Sequence, residues 1–153
     1  NAEDCNGTLK LKTSGGSLRL KDLGGQISAR TSGGSVHGDD IKGDLLAHTS
    51  GGNVDLKGLA GSVDASTSGG GVHVELVSLG KYVTISNSGG NVNLTLPGDK
   101  GLDLKLSGGR INTGTLKNFS GKVEEDEVNG TLNGGGVPVT VRSSSGRINL
   151  SLK

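Results

Sequence analysis

Aromatic and sulfur-containing side chains are almost absent from this sequence. Phe119 and Tyr82 are the only aromatic residues among 153, Met and Trp do not occur, and Cys5 is the single cysteine. An interior without large rings has to be thin and filled by Val, Leu, Ile and Ala, so a globular core of the usual kind is not expected. One cysteine cannot form an internal disulfide, which excludes a disulfide-stapled fold.

Long apolar runs and clustered basic charge are missing as well. No stretch of about 18 apolar residues exists, so we expect no transmembrane segment within this chain. The formal net charge is +1 and the basic residues are spread singly. The basic patch and the aromatic stacking platforms that are typical of nucleic-acid binders are therefore lacking. We expect no nucleic-acid partner.

Glycine, in contrast, is abundant and regularly placed. There are 30 glycines, and pairs of them recur in TSGGSL, TSGGSV, TSGGNV, TSGGGV, NSGGNV and LSGGRI. The serine before each pair recurs at separations of 18, 18, 18, 20 and 19 residues, at Ser14, Ser32, Ser50, Ser68, Ser88 and Ser107. A fixed period of this length indicates a repeat architecture.

Within one period the apolar residues alternate with polar ones, which is the pattern of a β-strand. One unit has Val54 and Leu56, a break at residues 58–61, and then Val63 and Ala65. Two short strands and two corners account for 18 residues and return the chain to its start one layer higher. We predict an all-β fold, a single-stranded parallel β-helix (β-solenoid) with about 18 residues per coil and seven to eight coils.

The predicted domain organisation is simple. A solenoid domain spans residues 8–153, after an N-terminal tail at residues 1–7, and includes an irregular segment at about residues 118–136, where the rhythm loosens. The chain starts without Met or an apolar signal region, so we expect a processed or trimmed product whose export signal or anchor lay in the missing part.

The recurring TSGG motif is predicted to be a structural corner. Strand parity places its threonine inward, where the hydroxyl can bond to other threonines or to corner backbone, and the glycines are expected to supply positive φ angles. A phosphate-cradling loop is disfavoured, because no copy is followed by a helix start or a GK[ST] ending. The predicted corner residues are Thr31, Ser32, Gly33, Gly34, Thr49, Ser50, Gly51, Gly52, Thr67, Ser68, Gly69 and Gly70.

Stacking makes vertical neighbours of outward residues one period apart, which yields one candidate binding surface. The predicted column consists of Arg19, His37, Asp55, His73 and Asn93. Two histidines beside an aspartate could hold a metal or act in acid–base chemistry, but a flat sheet offers no third converging ligand. We therefore interpret the column as an exposed polar ladder, and predict no metal, no cofactor and no catalytic residue.

Two other polar groups are weaker candidates. A second outward column, with Arg30, His48, Ser66 and Ser86, lacks an orienting acid and a pocket. Four consecutive acids at residues 124–127 could bind a cation, but side chains on an extended segment point alternately to opposite sides, so a solvated or edge-blocking role is favoured. Pro138 is expected to help protect an open sheet edge.

The SGGxVxLxxLxGxVxAxTSGG units and the closing GGGVPVTVRSSSGRINLSL resemble the bacterial DUF4097 family, which carries an adhesin label, and its relatives of the DUF2807 or autotransporter adhesin head GIN type. The resemblance covers nearly the whole chain from Thr8, with departures between residues 124 and 136. It implies a right-handed parallel β-helix outside the cytoplasm (secreted, periplasmic or attached to the cell surface), without established catalytic residues.

Three functions remain open from the sequence. The first is a non-enzymatic envelope or extracellular scaffold that binds an unidentified protein or glycan, or self-associates at a coil end. The second is an extracytoplasmic regulatory or sensory module of a membrane-anchored protein. The third is a carbohydrate-active β-helix enzyme, which is disfavoured because such enzymes have longer coils and a groove with aromatic or paired acidic residues.

Overall fold

The computed structural model describes residues 2–97, 101–114 and 118–152, and within these ranges it contains strands and bends but no helix, so none that could span a bilayer. The strands in chain order are β1 (Ala2–Glu3), β2 (Asn6–Thr13), β3 (Leu18–Thr31), β4 (Val36–Thr49), β5 (Val54–Thr67), β6 (Val72–Asn87), β7 (Val92–Leu96), β8 (Leu102–Ser107), β9 (Arg110–Thr113), β10 (Phe119–Val123), β11 (Glu127–Leu132), β12 (Val137–Ser143) and β13 (Arg147–Leu152).

The predicted parallel β-solenoid is confirmed. The strands β3, β4 and β5 each follow one coil around a bend, and each pairs in parallel with the next in a register that sets Ile27 opposite Leu45 and Leu45 opposite Val63. Residues 18 apart therefore lie directly above one another. The solenoid makes about five turns, fewer than the seven or eight predicted, because the chain leaves the helical path after β7.

The core is a narrow column of aliphatic side chains. Inward residues on equivalent positions stack coil upon coil, as Ala29, Ala47, Ala65, Ile85 and Val141 do, and all five are fully buried. Each buried Val, Leu or Ile contributes roughly 1.5–3 kcal/mol relative to an exposed one. Small alanines and larger aliphatic residues fill the buried interior, which contains no aromatic ring.

The corner glycines differ from the prediction in one respect. The glycines of the TSGG motifs, Gly33 and Gly34 among them, do not have positive φ angles. Gly34 is required instead by close approach, since a Cβ there would overlap the carbonyl oxygen of Gly16 one coil below. Positive φ occurs at the opposite corner, in one column formed by Gly7, Gly25, Gly43 and Gly61 and in another formed by Asp4, Asp22, Asp40 and Gly58.

The last coil does not stack on the end of the rod. Strand β12 lies between β6 and β8, and β13 lies between β7 and β9. The hydroxyl of Ser145 accordingly donates to the carbonyl oxygen of Ser88 at 3.1 Å, where the sequence period predicted Ser107 to stack. The C-terminal segment is thus inserted into the sheet and gains hydrogen-bonded neighbours on both sides.

An antiparallel hairpin covers the β8 end of the rod. Strand β11 pairs with β8, and β10 pairs with β11. The predicted irregular segment therefore contains a regular hairpin that protects the edge of β8. Pro138, which was expected to have this role, lies instead within the inserted strand β12, opposite Asp103 of β8.

The solenoid also begins earlier than predicted. Ala2 and Glu3 pair with Leu20 and Lys21 of β3, and Asn6 and Gly7 pair with Gly24 and Gly25. The segment expected to be a tail, residues 1–7, thus contributes paired strand residues from Ala2 onward. Gly7 reaches this path with a φ of 111°, which glycine adopts readily.

Candidate functional site

The outward face formed by the first half of each coil carries the predicted polar ladder. Parallel pairing sets Arg19 opposite His37, His37 opposite Asp55, Asp55 opposite His73, and His73 opposite Asn93. Neighbouring strands lie about 4.8 Å apart. All five side chains are exposed or half-buried.

The ladder extends beyond the predicted residues because of the inserted C-terminal coil. Asn149 lies between Asn93 and Asn112, and its side-chain amide donates a hydrogen bond to the Oδ1 atom of Asn93 at 2.9 Å. The polar ladder is therefore Arg19, His37, Asp55, His73, Asn93, Asn149 and Asn112. The order of strands β7, β13 and β9 decides this part, and no periodicity in the sequence indicates it.

Asp55 lies between the two histidines of the ladder. Its Oδ2 atom lies 3.9 Å from Nδ1 of His37, and the two side chains are 37% and 44% exposed. Its Oδ1 atom is buried without a hydrogen-bond partner. The Asp55 side chain as a whole is 37% exposed, and because a carboxylate oxygen is a strong acceptor, the accessible part of the carboxylate is suited to accept a hydrogen bond from a bound hydroxyl or amide.

A shallow groove of about 510 Å³ runs beside this part of the ladder. Its floor is formed by residues 69–71 and Gly90, and its polar rim includes Asn53, Asp55, His73 and Asn91. The groove forms at Gly71 because equivalent positions of other coils carry a side chain after the glycine pair, at Ser17, Ser35, Asn53 and Asn91.

The side chains of the rim are fixed by hydrogen bonds to neighbouring coils. The Oδ1 atom of Asn53 accepts from the backbone N–H of Gly71 at 2.8 Å, and Oδ1 of Asn91 accepts from the N–H of Arg147 at 2.9 Å. The oxygens of Ser17 and Ser35 accept equivalent bonds from Ser35 and Asn53. The sequence signal for these hydrogen bonds is the Ser or Asn that follows four of the glycine pairs, at Ser17, Ser35, Asn53 and Asn91, which the repeat period alone does not single out.

A column of alternating charge lies two residues along from the ladder. Glu3 pairs with Lys21, Lys21 with Asp39, and Asp39 with Lys57. Opposite charges on adjacent strands favour this register. Because the charges of this column cancel, the face presents hydrogen-bonding groups in place of a strong field of one sign.

Among the described residues, no group of three or more His, Cys, Asp or Glu side chains is placed to hold a metal ion. In the second column, Arg30 pairs with His48, His48 with Ser66, and Ser66 with Ser86, on an open sheet face. Arg142 continues the column at Ser86.

The acidic segment is the turn of the β10–β11 hairpin. The carbonyl oxygens of Glu125 and Asp126 accept hydrogen bonds from the backbone N–H groups of Ile111 and Gly108, at 2.7 and 3.0 Å, and the Glu125 carboxylate accepts from Arg110 at 3.0 Å. The segment covers the edge of β9, which agrees with an edge-blocking role.

One pKa in this hairpin is shifted. Lys122 donates a hydrogen bond to the carboxylate of Glu124, with Nζ and Oε1 2.8 Å apart. This hydrogen bond, together with the charge of Glu124, raises the pKa of Lys122 above its ordinary value.

Comparison with known proteins agrees with this description. The chain matches the family described as Toastrack DUF4097 over residues 5–151. It is also similar to a crystal structure, described as a "putative cell adhesion protein" from Clostridium sporogenes, with a TM-score of 0.54 and 14% sequence identity. The similarity covers 95% of this chain and 93% of the other, and at this identity it concerns the fold. No curated protein matches the chain.

Proposed function

Because this chain belongs to the Toastrack DUF4097 family, we propose that it is a non-enzymatic binding scaffold outside the cytoplasm, whose polar ladder recognises a hydroxyl-rich or amide-rich partner such as a glycan or a protein loop. The observation that carries the proposal is the partly exposed Asp55 carboxylate, which lines a groove together with asparagine and histidine side chains. The description of the Clostridium structure as a "putative cell adhesion protein" supports the same class of function.

The shape of the face favours binding over turnover. The ladder lies on parallel strands of regular register, and the groove beside it is open to solvent along the corner. Enzymes enclose the reacting atoms and exclude water from them. A rigid, flat array of hydrogen-bonding groups is suited instead to an extended ligand that spans several coils.

The test is binding to glycan arrays and to surface extracts, with matched variants. We expect that Asp55→Asn and His73→Ala each weaken binding about tenfold. The first replaces a charged acceptor oxygen by an amide donor, and the second removes a ring that can form a hydrogen bond. His48→Ala, on the other sheet face, is the control and should leave affinity unchanged. Absence of specific binding in both screens, or equal effects of His73→Ala and His48→Ala, would overturn the proposal.

A turnover assay distinguishes the binding scaffold from the alternative of a carbohydrate-active enzyme. Incubation with polysaccharides should release no new reducing ends above the level of a heat-denatured sample. Release that survives purification and disappears in the Asp55→Asn variant would assign a catalytic function to the ladder.

A further inference from the structure

A second groove lies on the sheet face opposite the polar ladder, which is formed by the second half of each coil. The groove has a volume of about 270 Å³ and crosses strands β2, β3 and β4. Its walls are outward side chains of these strands, namely Thr8, Lys10, Gln26, Ser28, Asp44 and Leu46. Tyr82 of β6 lines the same groove.

Tyr82 is the exposed one of the two aromatic residues in the sequence. Its side chain is 37% exposed, whereas Phe119 is half-buried and packs against the aliphatic core. An aromatic ring has a large apolar surface, and covering that surface with a ligand is favourable. Tyr82 is therefore the ring that this chain offers to a ligand.

A break in the coil period positions this ring. In the pairing of β5 with β6, the single residue Ser62 stands opposite the three residues 80–82. The additional residues form a β-bulge, a feature that re-aims a side chain. Strand β5 lies between β4 and β6, so Tyr82 lines the groove of β4 from two coils away.

The bulge is fixed against the coil below it. The hydroxyl of Ser62 accepts a hydrogen bond from the backbone N–H of Lys81 at 2.7 Å, and Ser62 is buried although its equivalent Asp44 is half-buried. A Cβ on Gly80 would lie 2.6 Å from the carbonyl carbon of Gly61, so close packing requires a glycine there. The backbone that carries Tyr82 is thus ordered before a ligand binds, which reduces the entropy cost of binding.

The polar side chains of the groove are suited to hydroxyl groups. The amide of Gln26 and the hydroxyls of Thr8 and Ser28 can donate and accept hydrogen bonds, and the carboxylate of Asp44 accepts them. The charged side chains of the lining, Lys10 and Asp44, have opposite signs. The groove therefore has no excess charge that would select an anionic or a cationic polymer.

A pyranose ring combines the two kinds of surface that this groove offers. Its C–H groups form an apolar face, which matches Tyr82 and Leu46, and its hydroxyls project from the rim of the ring. An aliphatic ligand would cover Gln26 and Asp44 without providing hydrogen-bond partners, which is unfavourable. A nucleic-acid strand would require a basic surface for its phosphates.

We propose that this groove binds a neutral oligosaccharide, with one pyranose ring stacked against Tyr82 and its hydroxyls hydrogen-bonded to Gln26 and Asp44. The site lies on the other face of the rod from the polar ladder. It does not rest on the function proposed for that ladder.

The test uses the fluorescence of Tyr82, since this residue is the only tyrosine and the chain has no tryptophan. The whole chain is titrated with neutral, β-linked tetrasaccharides of glucose, N-acetylglucosamine, mannose and xylose. We expect at least one of them to cause a saturable change in fluorescence. Added salt should leave the affinity unchanged, because a neutral sugar does not release counterions.

Isothermal titration calorimetry with the tetrasaccharide that binds then compares the variants. Tyr82→Ala should weaken binding about tenfold, whereas Tyr82→Phe keeps the ring and should stay within about twofold of the wild type. Gln26→Ala, at an exposed position, should weaken binding about fivefold. Asp55→Asn, in the polar ladder, is the control and should bind the sugar as the wild type does.

Several outcomes would overturn the proposal. These are no saturable change with any of the four sugars, or wild-type affinity in either Tyr82→Ala or Gln26→Ala. Loss of binding in Asp55→Asn with retention in Tyr82→Ala would overturn it by assigning the sugar to the polar ladder. If Tyr82→Ala unfolds at a lower temperature than the wild type, Tyr82→Phe and Gln26→Ala decide the question.

Discussion

The hydroxyl of Thr49 donates a hydrogen bond to the carbonyl oxygen of Gly34, one coil below, at 2.7 Å, and accepts one from the backbone N–H of Gly52 in its own coil at 3.2 Å. Thr31 and Thr67 make the same two bonds. The threonine of each TSGG motif thus joins two successive corners through backbone groups, and the threonines do not bond to one another. One threonine hydroxyl therefore stabilises the corner of its own coil and links that corner to the coil below.

Removing this hydroxyl should destabilise the solenoid. In Thr49→Val the shape is kept, but the N–H of Gly52 and the carbonyl of Gly34 lose their partner in a partly buried position, which costs about 1–3 kcal/mol. Thr49→Ser keeps the hydroxyl and should lose less, as Ser143 makes the equivalent bond with Gly146. Chemical denaturation followed by circular dichroism compares the two variants. A Val variant as stable as the wild type, or more stable than the Ser variant, would show that the methyl group, and not the hydroxyl, matters.

Replacing glycines at the two corners of a coil should have different effects on the free energy of unfolding. Gly43 has a φ of 117°, and a Cβ there would overlap the carbonyl of Gly25, so Gly43→Ala should cost about 2–4 kcal/mol in unfolding free energy. Gly33→Ala is the control, since its Cβ would have ordinary contacts at 3.7 and 3.8 Å, and it should cost less than about 1 kcal/mol. Similar losses in both variants would contradict the distinction between the corners.

These corners also show what the sequence could and could not predict. The 18-residue period and the inward position of Thr31 follow from spacing and parity alone. The assignment of positive φ does not, because Gly34 and Gly43 both stand at corners, and composition does not distinguish a close approach between coils from a left-handed backbone. Only the position of the neighbouring coil decides this.

The order of the last coils was beyond prediction for a related reason. Ser107 follows Ser88 by 19 residues, close to one coil, yet Ser145 is the residue that bonds to Ser88. Both segments alternate aliphatic and polar residues, so both fit the same layer by pattern. The extension of the polar ladder through Asn149 depends on that order, which explains why this part of the candidate site was missed.

The aspartates with positive φ should be sensitive to side-chain shape. Asp40 has a φ of 51° and its side chain is exposed, so the change Asp40→Val mainly tests the backbone. A β-branched residue in the left-handed region costs about 1–3 kcal/mol. Asp40→Asn should be nearly neutral, because asparagine tolerates this region. Thermal unfolding of the two variants measures the difference. A Val variant as stable as the Asn variant would show that the left-handed backbone at position 40 does not strain a β-branched residue.

The hairpin β10–β11 should be required to keep the end of the rod closed. Val128 is fully buried and lies opposite Leu106 of β8, so Val128→Asp places an unpaired carboxylate in an apolar contact and should release the hairpin. Its release would remove the bonds that Glu125 makes to Ile111 of β9 and that Asp126 makes to Gly108, between β8 and β9. It would also leave β8 as an open edge, which promotes pairing with other chains. We expect faster hydrogen exchange in β8 and β9, unchanged exchange in β4 and β5, and larger species at higher concentration in sedimentation velocity.

Asn129→Asp, an exposed change one residue along, is the control and should remain a single species. Uniformly faster exchange in all strands would mean that the rod unfolds as a unit, and unchanged sedimentation with a released hairpin would show that the hairpin does not protect against association.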